Sequence, residues 1–220
     1  MAKINLKKGI WDVILYIIIF IVVQLVVMYA GAGIWAAVKG EVYKSVRSSM
    51  TAGSNPVLLA LSTVFSNLFT LIIFLKTKWT PLTRDYLLSK PWASLLWVAL
   101  FTLGTIIPLS FLWESLGIEM DKNTENIFEG LMKEPWGYVA VGILAPLAEE
   151  IVFRGAILRT LLGMMSKKNH WVAIMISAAL FGVAHGNPAQ FVNALLMGLL
   201  LGWMYYRTKS LVPGILMHWV

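Results

Sequence analysis

Long apolar runs alternating with short polar segments set the pattern of this chain. The runs cover residues 10–34, 57–75, 92–113, 138–165, 171–186 and 189–206, and a last one begins at Leu211. None alternates with period 2, and several approach the roughly 20 residues that a helix needs to cross a bilayer. In lipid every backbone group must be satisfied internally, so such runs predict α-helices rather than an open sheet. The stretch 114–135 carries too many charges to span. The expected fold class is all-α: a polytopic transmembrane helical bundle of about seven to eight spans in the intact protein, the last span incomplete. The first run exceeds the core of a signal peptide, so it reads as an uncleaved span despite the small residues Ala30-Gly31-Ala32.

Charge placement gives the bundle a direction. The chain has 220 residues, 59% hydrophobic and 13% charged, with a net charge of +7 and no Cys. A soluble domain averages about 25% charged residues. The absence of Cys excludes disulfides, a thiolate zinc site and a thiol nucleophile. With a cytoplasmic N-terminus, the inside segments carry Lys3, Lys7, Lys8, Lys76, Lys78, Arg84, Lys90, Arg159, Lys167, Lys168, Arg207 and Lys209. The outside segments carry Lys39, Lys44, Arg47, Lys122 and Lys133, and most acids, among them Glu114, Glu119, Asp121, Glu125, Glu129 and Glu134, fall in one outside segment. This is the asymmetry of the positive-inside rule. The basic balance therefore belongs to a lipid surface and not to nucleic acid, and no phosphate-binding glycine loop is present. Small size and short loops place the protein in a bacterial inner membrane as a multi-pass protein. Residues 1–134 read as N-terminal helices with an outside polar segment, and 135–220 as the part that carries chemistry, within a single membrane domain.

That chemistry starts at Glu149, Glu150 and Arg154, three ionisable groups inside an apolar run. Each costs roughly 2.5–3.5 kcal/mol at a helix centre, more than an anchor would carry without reason. Glu150 and Arg154 are four apart and share a face, so an ion pair between them is expected. Glu149 is rotated about 100° away, which leaves its carboxylate free to act as general base or acid. Pro146 removes a helical donor just before the glutamates and predicts a kink. Phe181 and His185 share a face of the next run, and His218 lies in the last one. Two His and one free Glu from three runs suit a divalent metal with an open position, or a Glu-activated water with His partners. His170 sits beside Lys167 and Lys168 and reads as solvated. Gly182/Gly186 and Gly198/Gly202 are small pairs that permit close helix approach. The three aspartates Asp12, Asp85 and Asp121 avoid mid-span positions, and Ser177 is about 12 Å of helix rise from His185, which excludes aspartyl and Ser–His dyads.

Glu149-Glu150-x-x-x-Arg154, Phe181-x-x-x-His185 and His218, in that order, resemble the motifs of the CPBP family of intramembrane proteases, the CAAX protease and bacteriocin-processing family, also called Abi or type II CAAX prenyl endopeptidase-like. The string Leu147-Ala148-Glu149-Glu150-Ile151-Val152-Phe153-Arg154-Gly155 carries most of the likeness, which covers about residues 135–220. The resemblance implies an all-α membrane endopeptidase with Glu149, His185 and His218 as catalytic residues and Glu150, Arg154 and Phe181 in support. Glu149 would activate water with His185, and His218 would polarise the scissile carbonyl. It implies either a divalent metal such as zinc, held by Glu149, His185 and His218, or a metal-free glutamate mechanism. The implied substrate is a membrane-associated peptide or protein C-terminus, in CAAX-like processing or in bacteriocin maturation and self-immunity. A non-catalytic membrane scaffold or regulator is the rival reading; an ion-coupled carrier fits less well, since no duplicated broken-helix pair is visible. The family's last motif places a further small or amide residue four positions after His218, beyond Val220, so the final motif is expected to be incomplete here.

Overall fold

A computed structural model describes residues 4–117 and 122–220, and every regular element among them is helical. Lys3, Glu119 and Asp121, placed above by charge, lie outside the described residues. The helices are α1 (Leu6–Lys39), α2 (Tyr43–Thr51), α3 (Pro56–Lys76), α4 (Asp85–Leu88), α5 (Trp92–Leu116), α6 (Lys122–Met132), α7 (Pro135–Gly137), α8 (Ala145–Glu149), α9 (Arg159–Met164), α10 (His170–Ala184), α11 (Pro188–Thr208) and α12 (Val212–Trp219). Two π-helical segments, Tyr138–Leu144 and Glu150–Leu158, flank α8.

Among the described residues, four helices are long and apolar enough to cross a membrane: α1, α3, α5 and α11. They coincide with four of the runs read from sequence. On length and composition, the described residues therefore supply fewer than the seven or eight spans expected. The reason lies in the other runs. Residues 138–164 change hydrogen-bond register three times, at 145, 150 and 159, α10 has 15 residues, and α12 has 8. Alpha5 turns Trp97, Ile107 and Phe111 outward, each about three-quarters exposed, as suits a helix solvated by hydrocarbon.

The chain divides into two compact units that interleave along the sequence. One comprises Ile17–Lys76 and Met120–Ala148. Its core gathers Ala32, Ala36, Val46, Met50 and Leu58, with Met28, Trp35 and Leu59 packed against it. Here Asn67 of α3, buried in apolar surroundings, donates through Nδ2 to the Ala140 carbonyl at 3.3 Å, which satisfies both a side chain and a π-helical carbonyl. The other unit comprises Met1–Tyr16, Thr77–Glu119 and Glu149–Val220, and it holds Glu149, Glu150, Arg154, Phe181, His185 and His218. Leu201, Met204 and Met217 form part of its core, with Val98, Met197 and Leu200 around them.

Alpha10 and α11 pack side by side because glycines let them. A Cβ on Gly182 would meet the Phe191 ring at 2.8 Å, one on Gly198 the Ala178 backbone at 2.9 Å, and one on Gly202 the Ile174 side chain at 2.9 Å. Gly186 differs from the expectation. It faces open space at φ +65°, so its work is to end α10 in a left-handed turn and not to admit a neighbour. Asn187 then caps α11, accepting through Oδ1 from the amides of Ala189 at 2.9 Å and Gln190 at 3.3 Å.

Candidate functional site

Glu150 and Arg154 occupy the first two turns of the second π-segment, and both side chains are about 1% exposed. They pair as their spacing predicts, with Arg154 Nη1 3.0 Å from Glu150 Oε1. The contact is short yet poorly directed, so it is an ion pair without a well-formed hydrogen bond at either Glu150 oxygen or at Arg154 Nη1. Arg154 is held further by the Gly198 carbonyl, 3.4 Å from Nη2, and by the Phe181 ring, whose centroid lies 4.4 Å from Cζ. A cation against an aromatic face in a dry interior gains an attraction that water would screen. Beneath the carboxylate lies Gly214 of α12, where a methyl group would run into Glu150 Oε2.

Phe181 is the hub of the cluster. Buried on α10, its ring meets Phe153 at 5.0 Å, His185 edge-on at 4.8 Å and His218 near-parallel at 6.3 Å between centroids. One apolar ring thus collects Arg154, His185 and His218 from three elements. His185 is the C-cap of α10, and its Nδ1 lies 2.8 Å from the Phe181 carbonyl. A carbonyl can only accept, so the proton sits on Nδ1, and Nε2 of the neutral ring is left as a base or ligand. Glu149 closes α8 one residue before the ion pair. It is half-buried, and among the described residues it takes no part in an ion pair, although Arg154 and Glu150 both act on it electrostatically.

A clasp from the loop before α4 orients this helix. Thr80, 2% exposed, donates through Oγ1 to the Ile151 carbonyl at 2.7 Å. Arg159 donates through Nη2 to the Trp79 carbonyl at 2.7 Å and through Nε to the Gly155 carbonyl at 2.9 Å. Ser177 donates to the Phe153 carbonyl at 3.0 Å, which assigns this buried hydroxyl a structural task. Gly155 ends the motif string because a Cβ there would collide with Thr80. Gly155→Ala is therefore expected to lower detergent stability by about 1–3 kcal/mol, the usual cost of overpacking. Gly155→Ala combined with Thr80→Ala should recover part of that loss in a thermal melt; an unchanged melting temperature for Gly155→Ala alone would refute the clasp.

Thr80 and Gly214 were not singled out from sequence. Each lies far along the chain from the motif, and only the fold brings it there. A local signal existed for Gly214, a Pro213-Gly214 pair interrupting an apolar run.

A metal was one of the two chemistries left open. Among the described residues no group of three or more His, Cys, Asp or Glu stands in position to share a metal ion.

Comparison with known proteins covers the same part of the chain. Residues 131–220 match the family described as "Type II CAAX prenyl endopeptidase Rce1-like". The chain is 29% identical over 131 residues to "Putative membrane peptidase YdiL" of Bacillus subtilis (strain 168), covering 57% of this chain and 52% of that protein. It is 30% identical over 133 residues to "Membrane-embedded CAAX protease MroQ" of Staphylococcus aureus (strain USA300), covering 58% of this chain and 53% of that one. The matches thus span about half the length of these curated relatives. No solved structure matches.

Proposed function

We propose, with residues 131–220 matching the Rce1-like family as the premise, that this chain is an integral membrane endopeptidase whose water nucleophile is activated by Glu149. His185 shares the proton through Nε2, and His218 polarises the scissile carbonyl. The observation that carries the reading is the division of labour between adjacent glutamates: Arg154 holds Glu150 at 3.0 Å and leaves Glu149 uncommitted. In the addition step the Glu149 carboxylate takes a proton from water while the oxygen attacks the carbonyl carbon. The same proton is then delivered to the leaving amine, so the carboxylate is regenerated. His218 meets the developing oxyanion, the place where a preorganised donor contributes most. The substrate is a membrane-associated peptide or a protein C-terminus, of the CAAX-like or bacteriocin-processing kind, which reaches the site from the bilayer or its interface.

The test is a reconstituted full chain incubated with a library of lipid-anchored and membrane-associated peptides, the products read by mass spectrometry. Cleavage at defined bonds is expected, and it should persist in the presence of chelator. Folded protein that cleaves none of them would leave the scaffold role instead.

The proposed orientation has the N-terminus inside the cell and α6 outside. Single cysteines placed at Lys8 and Glu125, both exposed, should label from opposite sides of the membrane in a chain with no native Cys. Labelling from one side would remove this topology.

A further inference from the structure

Away from the motif residues, a cavity of about 820 Å³ opens where α9 ends, α10 begins and α11 ends. Leu162, Met164 and Met165 line one side, and Lys167, His170, Tyr206 and Lys209 contribute to the rest. No acidic side chain lines it, and among the described residues both ion pairs, Lys133–Glu129 and Arg154–Glu150, lie elsewhere.

The polar groups are held in place. Sequence suggested a solvated His170, but its ring is half-buried and stacked on Tyr206 at 4.2 Å with 9° between planes. Its Nδ1 lies 2.9 Å from the Lys167 carbonyl and so carries a proton; as the imidazolium, with a second proton on Nε2, the ring can also donate to an anion. Lys209 Nζ sits 4.1 Å from the Tyr206 centroid. Its backbone is left-handed, φ 55°, at the helix-ending position that glycine or asparagine usually fills. Partial desolvation pushes the Lys209 ammonium below its ordinary value, although the residue as a whole is exposed. The amino end of the 15-residue α10 adds a partial positive charge.

The geometry points to an anion site for a phosphate group, ligated by Lys167, His170 and Lys209 and separate from the peptidase residues. Ammonium groups and an imidazole converging on one cavity suit a phosphate monoester or diester. The apolar side chains Leu162, Met164 and Met165 would suit the first methylenes of a lipid's acyl chains. Trp171 and Trp203, both about half exposed and both near the ends of their helices, are placed as interfacial anchors at headgroup depth. Basic pockets between helices at that depth bind anionic headgroups. The site shares no residue with the glutamate cluster, so its test stands apart from the proposed cleavage.

The experiment measures binding of short-chain phosphatidylglycerol to the detergent-solubilised full chain by calorimetry, with inorganic phosphate as competitor and phosphatidylcholine as the neutral control. Saturable, salt-sensitive binding of phosphatidylglycerol but not phosphatidylcholine is expected. Lys167→Gln with Lys209→Asn should weaken it about tenfold or more, since each basic group near a headgroup contributes a comparable factor. Asparagine keeps the left-handed turn, and Lys167→Gln alone alters only an exposed side chain, so a loss with helix content unchanged reports the site. Lys167→Arg with Lys209→Arg should bind within about threefold of wild type, because the charges remain. Lys44→Gln should not alter binding. Competition by phosphate would assign the site to free phosphate or phosphate esters; its absence would assign it to the lipid headgroup. Binding that survives loss of both lysines, or folded wild type that binds neither probe, overturns the site.

Discussion

Glu149→Gln should lower peptide cleavage by about 10²–10⁴-fold, the range that a general base supplies. Folded yield and melting temperature should stay close to wild type. Glu149 is half-buried and takes no part in the Arg154 ion pair, so an amide of the same shape leaves no buried charge exposed. Gln cannot take a proton from water, and the loss should therefore fall on turnover more than on substrate binding. Kinetics of purified variants read this directly. Wild-type turnover in Glu149→Gln would assign the base elsewhere.

Its neighbour should behave in the opposite way. Glu150→Gln leaves the Arg154 guanidinium, about 1% exposed, without its counter-charge. Breaking a buried pair by removing one partner costs about 3–5 kcal/mol. That is a large share of the 5–15 kcal/mol by which folded domains are stable, so low yield and an early thermal transition are expected. Replacing both partners together, Glu150→Gln with Arg154→Met, should cost less than Glu150→Gln alone, because no charge is then stranded. Gly214→Ala should share the Glu150→Gln defect, since its methyl group would push on the same carboxylate. Melting curves in detergent check all three. A stable Glu150→Gln protein would mean that the pair is not what secures this helix.

The ion pair between Glu150 and Arg154 follows the spacing read from sequence. The four-residue spacing of Glu150 and Arg154 and the turn between Phe181 and His185 are local relations, and a helix translates them directly into contacts. The long helices α1, α3, α5 and α11 were legible for a similar reason, because an unbroken apolar run of span length has few other solutions. What was not legible depends on hydrogen-bond register or on distant chain. The π-helical turns around Pro146 leave no trace in a segment where nearly every residue is apolar, since no polar face marks the period. Thr80 reaches Ile151 across 71 positions, and nothing near either residue announces the other. Spacing alone cannot tell a packing glycine from one with a positive φ, and Gly186 is of the second kind. His170 was assigned to solvent by its basic neighbours, yet Tyr206, on another helix, supplies the ring it stacks on.

In the proposed mechanism Glu149 and His185 act on one water as a unit. A double-mutant cycle on kcat/KM tests it most directly, using Glu149→Gln, His185→Gln and the double variant against one membrane peptide. Residues that act as a unit are strongly non-additive. The double variant should then be no more than a few-fold worse than Glu149→Gln alone. Losses that multiply, so that the double variant falls by the product of the two single effects, would show two independent sites and contradict the account.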